Sequence, residues 1–176
     1  MIRILAFVFI FFVSKSYAQV DWIPLTKAFE LQQKAPKKIL IVFYESDCKS
    51  CQTLERQTFG SDEIQSYIRE FYYVVKFDVQ SSEGFNAFGK DFLGADSPEK
   101  NPTKYHSFAR FMNITSLPSI AFLDEQSMPI TTIQGSWSAK ELEPYLIFFG
   151  RGDYLKITTS EEWENYRKKI KSKIKE

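Results

Sequence analysis

The sequence predicts an α/β three-layer sandwich. Three observations carry this. Short β-rich apolar runs recur at 39–44, 72–79 and 119–123, as expected of strands buried on both faces. Segments with apolar residues at helical spacing alternate with those runs. A strand–turn–strand unit over 119–134 then leads into a capped helix.

Each element has its own reason. Leu25 to Gln33 forms a first helix with Leu25, Ala28 and Phe29 on one face. Ile39 to Tyr44 is the first strand, followed at once by Glu45-Ser46-Asp47-Cys48-Lys49-Ser50-Cys51 and a helix-favouring Gln52 to Arg56. The next helix places Ile64, Tyr67, Ile68 and Phe71 at i, i+3, i+4 and i+7, with Ser61 as N-cap and Asp62 and Glu63 in its first turn. Tyr72 to Val79 is the second strand. Gln80 to Thr103 is irregular, broken by Gly84, Gly89, Gly94, Pro98 and Pro102, with a short helix expected around Phe85–Phe92. Tyr105, Phe108, Ala109 and Met112 return to helical spacing, which places the single His106 on a helix surface. Ser119 to Leu123 and Pro129 to Gln134 pair as a hairpin around the turn Asp124–Ser127. Ser138-Ala139-Lys140-Glu141 is a capping box opening a helix that turns Leu142, Tyr145, Leu146 and Phe149 inward and ends at Gly150. Thr159-Ser160-Glu161-Glu162 opens a last helix with Trp163, Tyr166, Ile170 and Ile174 on one side.

The chain has 176 residues, 44% apolar and 26% charged. That is a single folded domain with short appendages, not a disordered chain. With 23 basic and 22 acidic residues, it offers no electrostatic footprint for nucleic acid. Two cysteines and one histidine exclude a disulfide-rich scaffold and a four-cysteine zinc site. The charge is nevertheless uneven: six basic residues fall between Arg167 and Lys175. Such a run reads first as a solvated helix face.

The first residues read as an address. Arg3 precedes the apolar run Ile4 to Val13, and Ser16-Tyr17-Ala18 supplies the small residues a signal peptidase reads. Ten apolar residues are about half of what a membrane-spanning helix needs, so cleavage after Ala18 is expected. The organisation expected is a signal peptide at 1–18, a folded domain at 19–150 and a helical extension at 151–176. The destination is the periplasm or the exterior.

Cys48 and Cys51 carry the chemistry. They lie three apart where a buried strand gives way to a helix start. Free N–H groups and the positive end of the helix dipole stabilise a thiolate there, and Lys49 adds a positive charge. Asp47 and Glu45 act in the opposite sense. A lone CxxC fits three chemistries: a redox-active dithiol, a structural disulfide, or a metal site. A loop this short staples little, and zinc lacks further ligands. Two thiolates suffice for Cu(I), although no Met precedes the first Cys. An oxidising compartment favours the dithiol.

The strand order, the CxxC on a helix start and a hairpin led by Ser116-Leu117-Pro118-Ser119 together resemble thioredoxin over about residues 36–150. The longer pattern from Cys48 through Leu54-Glu55 to Thr58-Phe59 resembles the C-terminal domain of the thiol–disulfide reductase DsbD and related exported bacterial proteins. The resemblance implies a thioredoxin-like α/β/α sandwich with a mixed sheet, an insert at 80–103 and an extra C-terminal helix. It implies that Cys48 is the exposed nucleophile, that Cys51 is the buried resolving thiol, and that Pro118 is a cis-proline facing them. Leu117 would offer its backbone to an extended substrate, a minimal form of strand addition. It implies an exported protein-disulfide reductase that needs no cofactor and no metal. It would act on protein disulfides, fed by a membrane electron donor of the DsbD type, and work as a monomer. A non-catalytic binding module on the same fold and a Cu(I)-binding dithiol are the alternatives.

Departures from thioredoxin are specific. Asp47 replaces the usual Trp, and Lys49-Ser50 replaces Gly-Pro. The position of the buried acid that assists the second thiol falls at Val42. Glu45 is the nearest carboxylate that could stand in, or it is simply solvated.

Overall fold

The computed structural model describes residues 20–97 and 104–174. The expected signal peptide lies outside the described residues. Among them, no helix is long and apolar enough to cross a membrane.

Four strands form one mixed sheet: β1 (Lys38–Tyr44), β2 (Tyr72–Asp78), β5 (Ser119–Leu123) and β6 (Pro129–Gln134), in the order β2-β1-β5-β6. β1 runs parallel to β2 and antiparallel to β5, so it is the central strand. Its continuous apolar sequence follows from burial on both faces. Alternation along β1 splits the core in two. Leu40 and Val42 face one cluster, with Leu54, Ile64, Ile68, Leu142 and Leu146. Ile39, Ile41 and Phe43 face the other, with Leu25, Ala28, Phe108 and Ala109.

Helices fill both outer layers. On the first face lie α2 (Lys49–Thr53), α3 (Asp62–Phe71), α5 (Ala139–Gly150) and α6 (Ser160–Lys169); on the second lie α1 (Leu25–Lys34) and α4 (Ser107–Phe111). Ser61 caps α3, and both capping boxes form, Ser138 with Glu141 and Thr159 with Glu162.

Several expectations are corrected. The segment Phe85–Phe92 is not a helix but a hairpin of β3 (Phe85–Ala87) and β4 (Lys90–Phe92). Phe88 at φ 54° and Gly89 at φ 68° make its turn, which a helix cannot contain. His106 is not on a surface. It is fully buried and caps α4, its Nδ1 accepting the Phe108 N–H at 3.0 Å. Gly150 is the last residue of α5, as expected, but the left-handed position falls two residues on, at Gly152 with φ 77°. Gly150 also makes room for Phe71, whose ring would lie 2.6 Å from an added Cβ. Tyr145 does turn inward, half-buried against the first core between Trp137 and Trp163. α6 ends at Lys169, and the chain continues non-helically so that Ile170 and Ile174 still pack on the first core.

After α2 the helix widens into a π turn over Leu54–Thr58, closed by Phe59 N–H donating to Leu54 C=O at 3.1 Å. The additional residue brings Leu54, Thr58 and Phe59 all into the interior, each 1% exposed.

Candidate redox site

β1 delivers the chain to the site. Its last residue, Tyr44, accepts a hydrogen bond from Val79 N–H at 2.9 Å, which ties the ends of β1 and β2 together. A turn over Glu45–Asp47 follows, and Cys48 takes the N-cap position of α2 in an extended conformation. Cys48 Sγ accepts the Cys51 N–H at 3.1 Å, so the sulfur satisfies one of the unpaired donors of the helix start. Cys48 and Cys51 are joined in a disulfide with sulfurs 2.00 Å apart.

The cis peptide Leu117–Pro118 closes the other side. Ser50 spans the gap. Its Oγ lies 3.3 Å from Cys48 Sγ and donates to the Leu117 carbonyl at 3.5 Å. Behind the proline, Gly135 N–H donates to the Pro118 carbonyl at 2.8 Å, and Ser119 Oγ donates to the Ser116 carbonyl at 2.6 Å. Cys48, Cys51, Leu117 and Pro118 are therefore brought together. The expected contrast in exposure is small. Cys48, expected to be exposed, is buried at 9% and Cys51 at 6% in this disulfide state, with Ser50 Oγ beside the first sulfur.

The polar neighbours are looser. Asp47 and Lys49 are exposed, where water and salt screen their opposite charges. Glu45 is half-buried, its carboxylate held by Gln80 Nε2 at 3.1 Å. Val42, at the position where the resemblance puts the buried acid, is packed in the first core cluster. Across the sheet from Val42 stands Lys76, which pairs with Glu55 at 2.7 Å and lies 4.4 Å from the Tyr44 ring centre. Glu55 sits four residues after Cys51, one helical turn on. The sequence reading quoted it within the motif but gave it no role. Ser50 was noted only as a replacement, because its bridge to Leu117 depends on a contact 67 residues away. Among the described residues, no three His, Cys, Asp or Glu side chains gather into a metal-sized cluster.

A family model for a thioredoxin-like domain matches residues 25–150. The chain belongs to the thioredoxin-like family. Solved structures show the same fold. The oxidoreductase DsbH superposes with a TM-score of 0.55 at 18% identity, over 76% of this chain and 86% of its own. A thioredoxin-fold protein from Helicobacter pylori gives 0.57 at 19%, over 76% and 81%. A thioredoxin from Thermus thermophilus gives 0.57 at 15%, over 81% and 99%. No curated protein matches the sequence. A CxxC disulfide at the helix start of a thioredoxin-like domain supports thiol–disulfide oxidoreductase chemistry in general. A vicinal dithiol there exchanges two electrons with another disulfide through a mixed disulfide.

Proposed function

We propose that the protein is an exported thiol–disulfide oxidoreductase working as a protein-disulfide reductase. The observation that carries this is the Cys48–Cys51 disulfide set at a helix start against the cis Leu117–Pro118 loop, with Ser50 touching both. In the reduced protein, the Cys48 thiolate attacks one sulfur of a substrate disulfide. A mixed disulfide forms and one substrate thiolate leaves. The Cys51 thiolate then attacks Cys48 Sγ and expels the second substrate thiolate. The protein is left with the Cys48–Cys51 disulfide described here, and the substrate has gained two electrons. Restoring the dithiol needs an external dithiol donor, in this reading a membrane relay of the DsbD type.

Leu117 and Pro118 form the substrate-binding edge, where an extended segment adds alongside the loop. Lys49, Glu45 and Asp47 tune the thiols only through screened charge. Export rests on the apolar run at 4–13 and the cleavage pattern at Ala18, and the folded unit is 19–150 with 151–176 as an extension. The DsbD-like sequence pattern from Cys48 to Phe59 favours the reducing direction.

Two variants test the mechanism. Cys48→Ser abolishes the protein's acceleration of insulin reduction over the dithiothreitol background. Cys51→Ser stops turnover and accumulates a covalent adduct that thiols release. Turnover retained by either variant would sink the mechanism.

A further inference from the structure

Gln134, the last residue of β6, is exposed and was given no part by the sequence. Its side chain does not trail into solvent. One atom, Oε1, gathers four donors from the loop in front of the cis-proline. Thr115 N–H lies at 3.3 Å, Thr115 Oγ1 at 2.8 Å, Ser116 N–H at 3.1 Å and Ser116 Oγ at 3.0 Å. Two consecutive peptide N–H groups and two hydroxyls converge on a single carbonyl oxygen. Register explains the reach: Gln134 pairs with Ser119 across the β5–β6 ladder, so its side chain stands beside the chain entering β5.

The consequence falls on Leu117. Ser116 is held at its N–H and Oγ by Gln134, and at its carbonyl by Ser119 Oγ. Pro118 is held at its carbonyl by Gly135, the residue after Gln134. The two residues that flank Leu117 are thus held, Ser116 by Gln134 and Ser119, and Pro118 by Gly135. Among the described residues, no hydrogen bond within the chain takes up the Leu117 N–H, and its carbonyl meets only Ser50 Oγ at 3.5 Å. The two loosely engaged backbone groups in this held loop are thus those of Leu117, next to the Ser50 hydroxyl that also lies 3.3 Å from Cys48 Sγ.

We propose that Gln134 is a positioning residue for polypeptide substrates. Its amide oxygen holds the Thr115–Ser116 turn so that the Leu117 peptide is presented to an extended segment flanking the substrate disulfide. The inference rests on the oxidoreductase reading above. It adds that the binding of backbone beside Leu117 depends on Gln134, so the side chain matters for polypeptide substrates and not for a small disulfide. A small disulfide reaches Cys48 without using the Leu117 peptide and gains nothing from the clamp. Fixing the loop beforehand removes an ordering cost from binding.

The test compares two disulfides on wild type, Gln134→Leu and Gln134→Glu. Leu matches Gln in bulk without an acceptor, whereas Glu keeps the accepting oxygen. The probes are insulin, followed as steady-state reduction, and 5,5′-dithiobis(2-nitrobenzoic acid), followed as a second-order reaction of the reduced protein. The expected result is a rise in KM for insulin of about tenfold in Gln134→Leu, the loss of about one good hydrogen bond's worth of binding. Its kcat stays within about twofold, its rate with the small disulfide is unchanged, and Gln134→Glu recovers the insulin KM. Equal loss on both probes, or no change on insulin, overturns the proposal while leaving the oxidoreductase reading standing. A wild-type protein inert towards both probes overturns that reading and the proposal with it.

Discussion

His106 shows how a single buried side chain can set a pH response. Its Nδ1 accepts from Phe108 N–H, so the ring proton sits on Nε2, which donates to the Glu83 carbonyl at 2.9 Å. Phe85 stacks on the ring and Phe77 meets it edge-on. A second proton on Nδ1 would face a donor. Burial, with a smaller push from Arg110 and against the pull of the Glu83 carbonyl, holds the imidazole below its ordinary 6.5. The folded state therefore resists the proton that the unfolded chain accepts. Stability is complete above about pH 6.5 and declines as the pH falls from there to the lowered folded value. We expect the urea midpoint to drop between about pH 7.5 and about pH 5 by more in wild type than in His106→Asn, which keeps a capping acceptor but does not titrate. Equal drops would remove His106 as the cause. At this scale the sequence was a partial guide. The cysteines and Pro118 were legible because their types and spacing carry chemistry. His106 was not, because one histidine beside an amphipathic pattern does not reveal that Glu83 and Phe85 fold over it. Ser50 and Gln134 act through partners on distant segments, and neither leaves a local signal.

At the scale of elements, periodicity served well where one element met one core. β1, β2, α3 and the β5–β6 hairpin lie where alternation, apolar runs and caps place them. It misled at 85–92, where Phe85, Phe88 and Phe92 have helical spacing. Those residues belong to a tight hairpin whose Phe85 and Phe92 are paired in register, with rings 5.4 Å apart. A turn with left-handed residues at Phe88 and Gly89 overrides the period. Gly150 ends α5 as the sequence predicts, and it also serves packing against α3. In α5 an alanine would raise helix propensity by about 1 kcal/mol. Its Cβ would instead stand 2.6 Å from Cγ and 3.0 Å from Cβ of Phe71, atoms near the stem that cannot swing aside cheaply. Overpacking of this kind costs about 1–3 kcal/mol. Gly150→Ala is therefore expected to be destabilising by about 1 kcal/mol net in urea melts, despite the better helix former. A gain in stability would show that α3 and α5 separate easily.

Across the whole molecule, the redox site occupies one end of the sheet and the C-terminal segment closes the face carrying α3 and α5. Glu143 is 1% exposed. Its Oε1 accepts from Tyr67 OH at 3.0 Å and from the Lys173 N–H at 3.2 Å. Burial, then the bond to Glu143, pushes the Tyr67 hydroxyl up to about 12. Lys173 Nζ lies 5.7 Å from the Tyr67 ring centre, so this backbone bond and ring contact add to the packing of Ile170 and Ile174 in holding the basic tail. The basic side chains from Arg167 to Lys173 are exposed, in line with the solvated face the sequence predicts, whereas nothing local marks a buried glutamate 30 residues away as a partner for the Lys173 backbone. The layer architecture, by contrast, was legible, because the strand order follows from alternating elements and short connections. The central claim concerns what the Cys48–Cys51 couple does at equilibrium. The measurement that tests it most directly is the reduction potential of that couple, from the thiol content of the protein residues 19–176 in defined thiol–disulfide buffers. A reductase places the midpoint near about −270 mV, reversible and lost in Cys48→Ser. A midpoint near about −120 mV would make the protein a disulfide donor, and a disulfide that never equilibrates would contradict the redox assignment altogether.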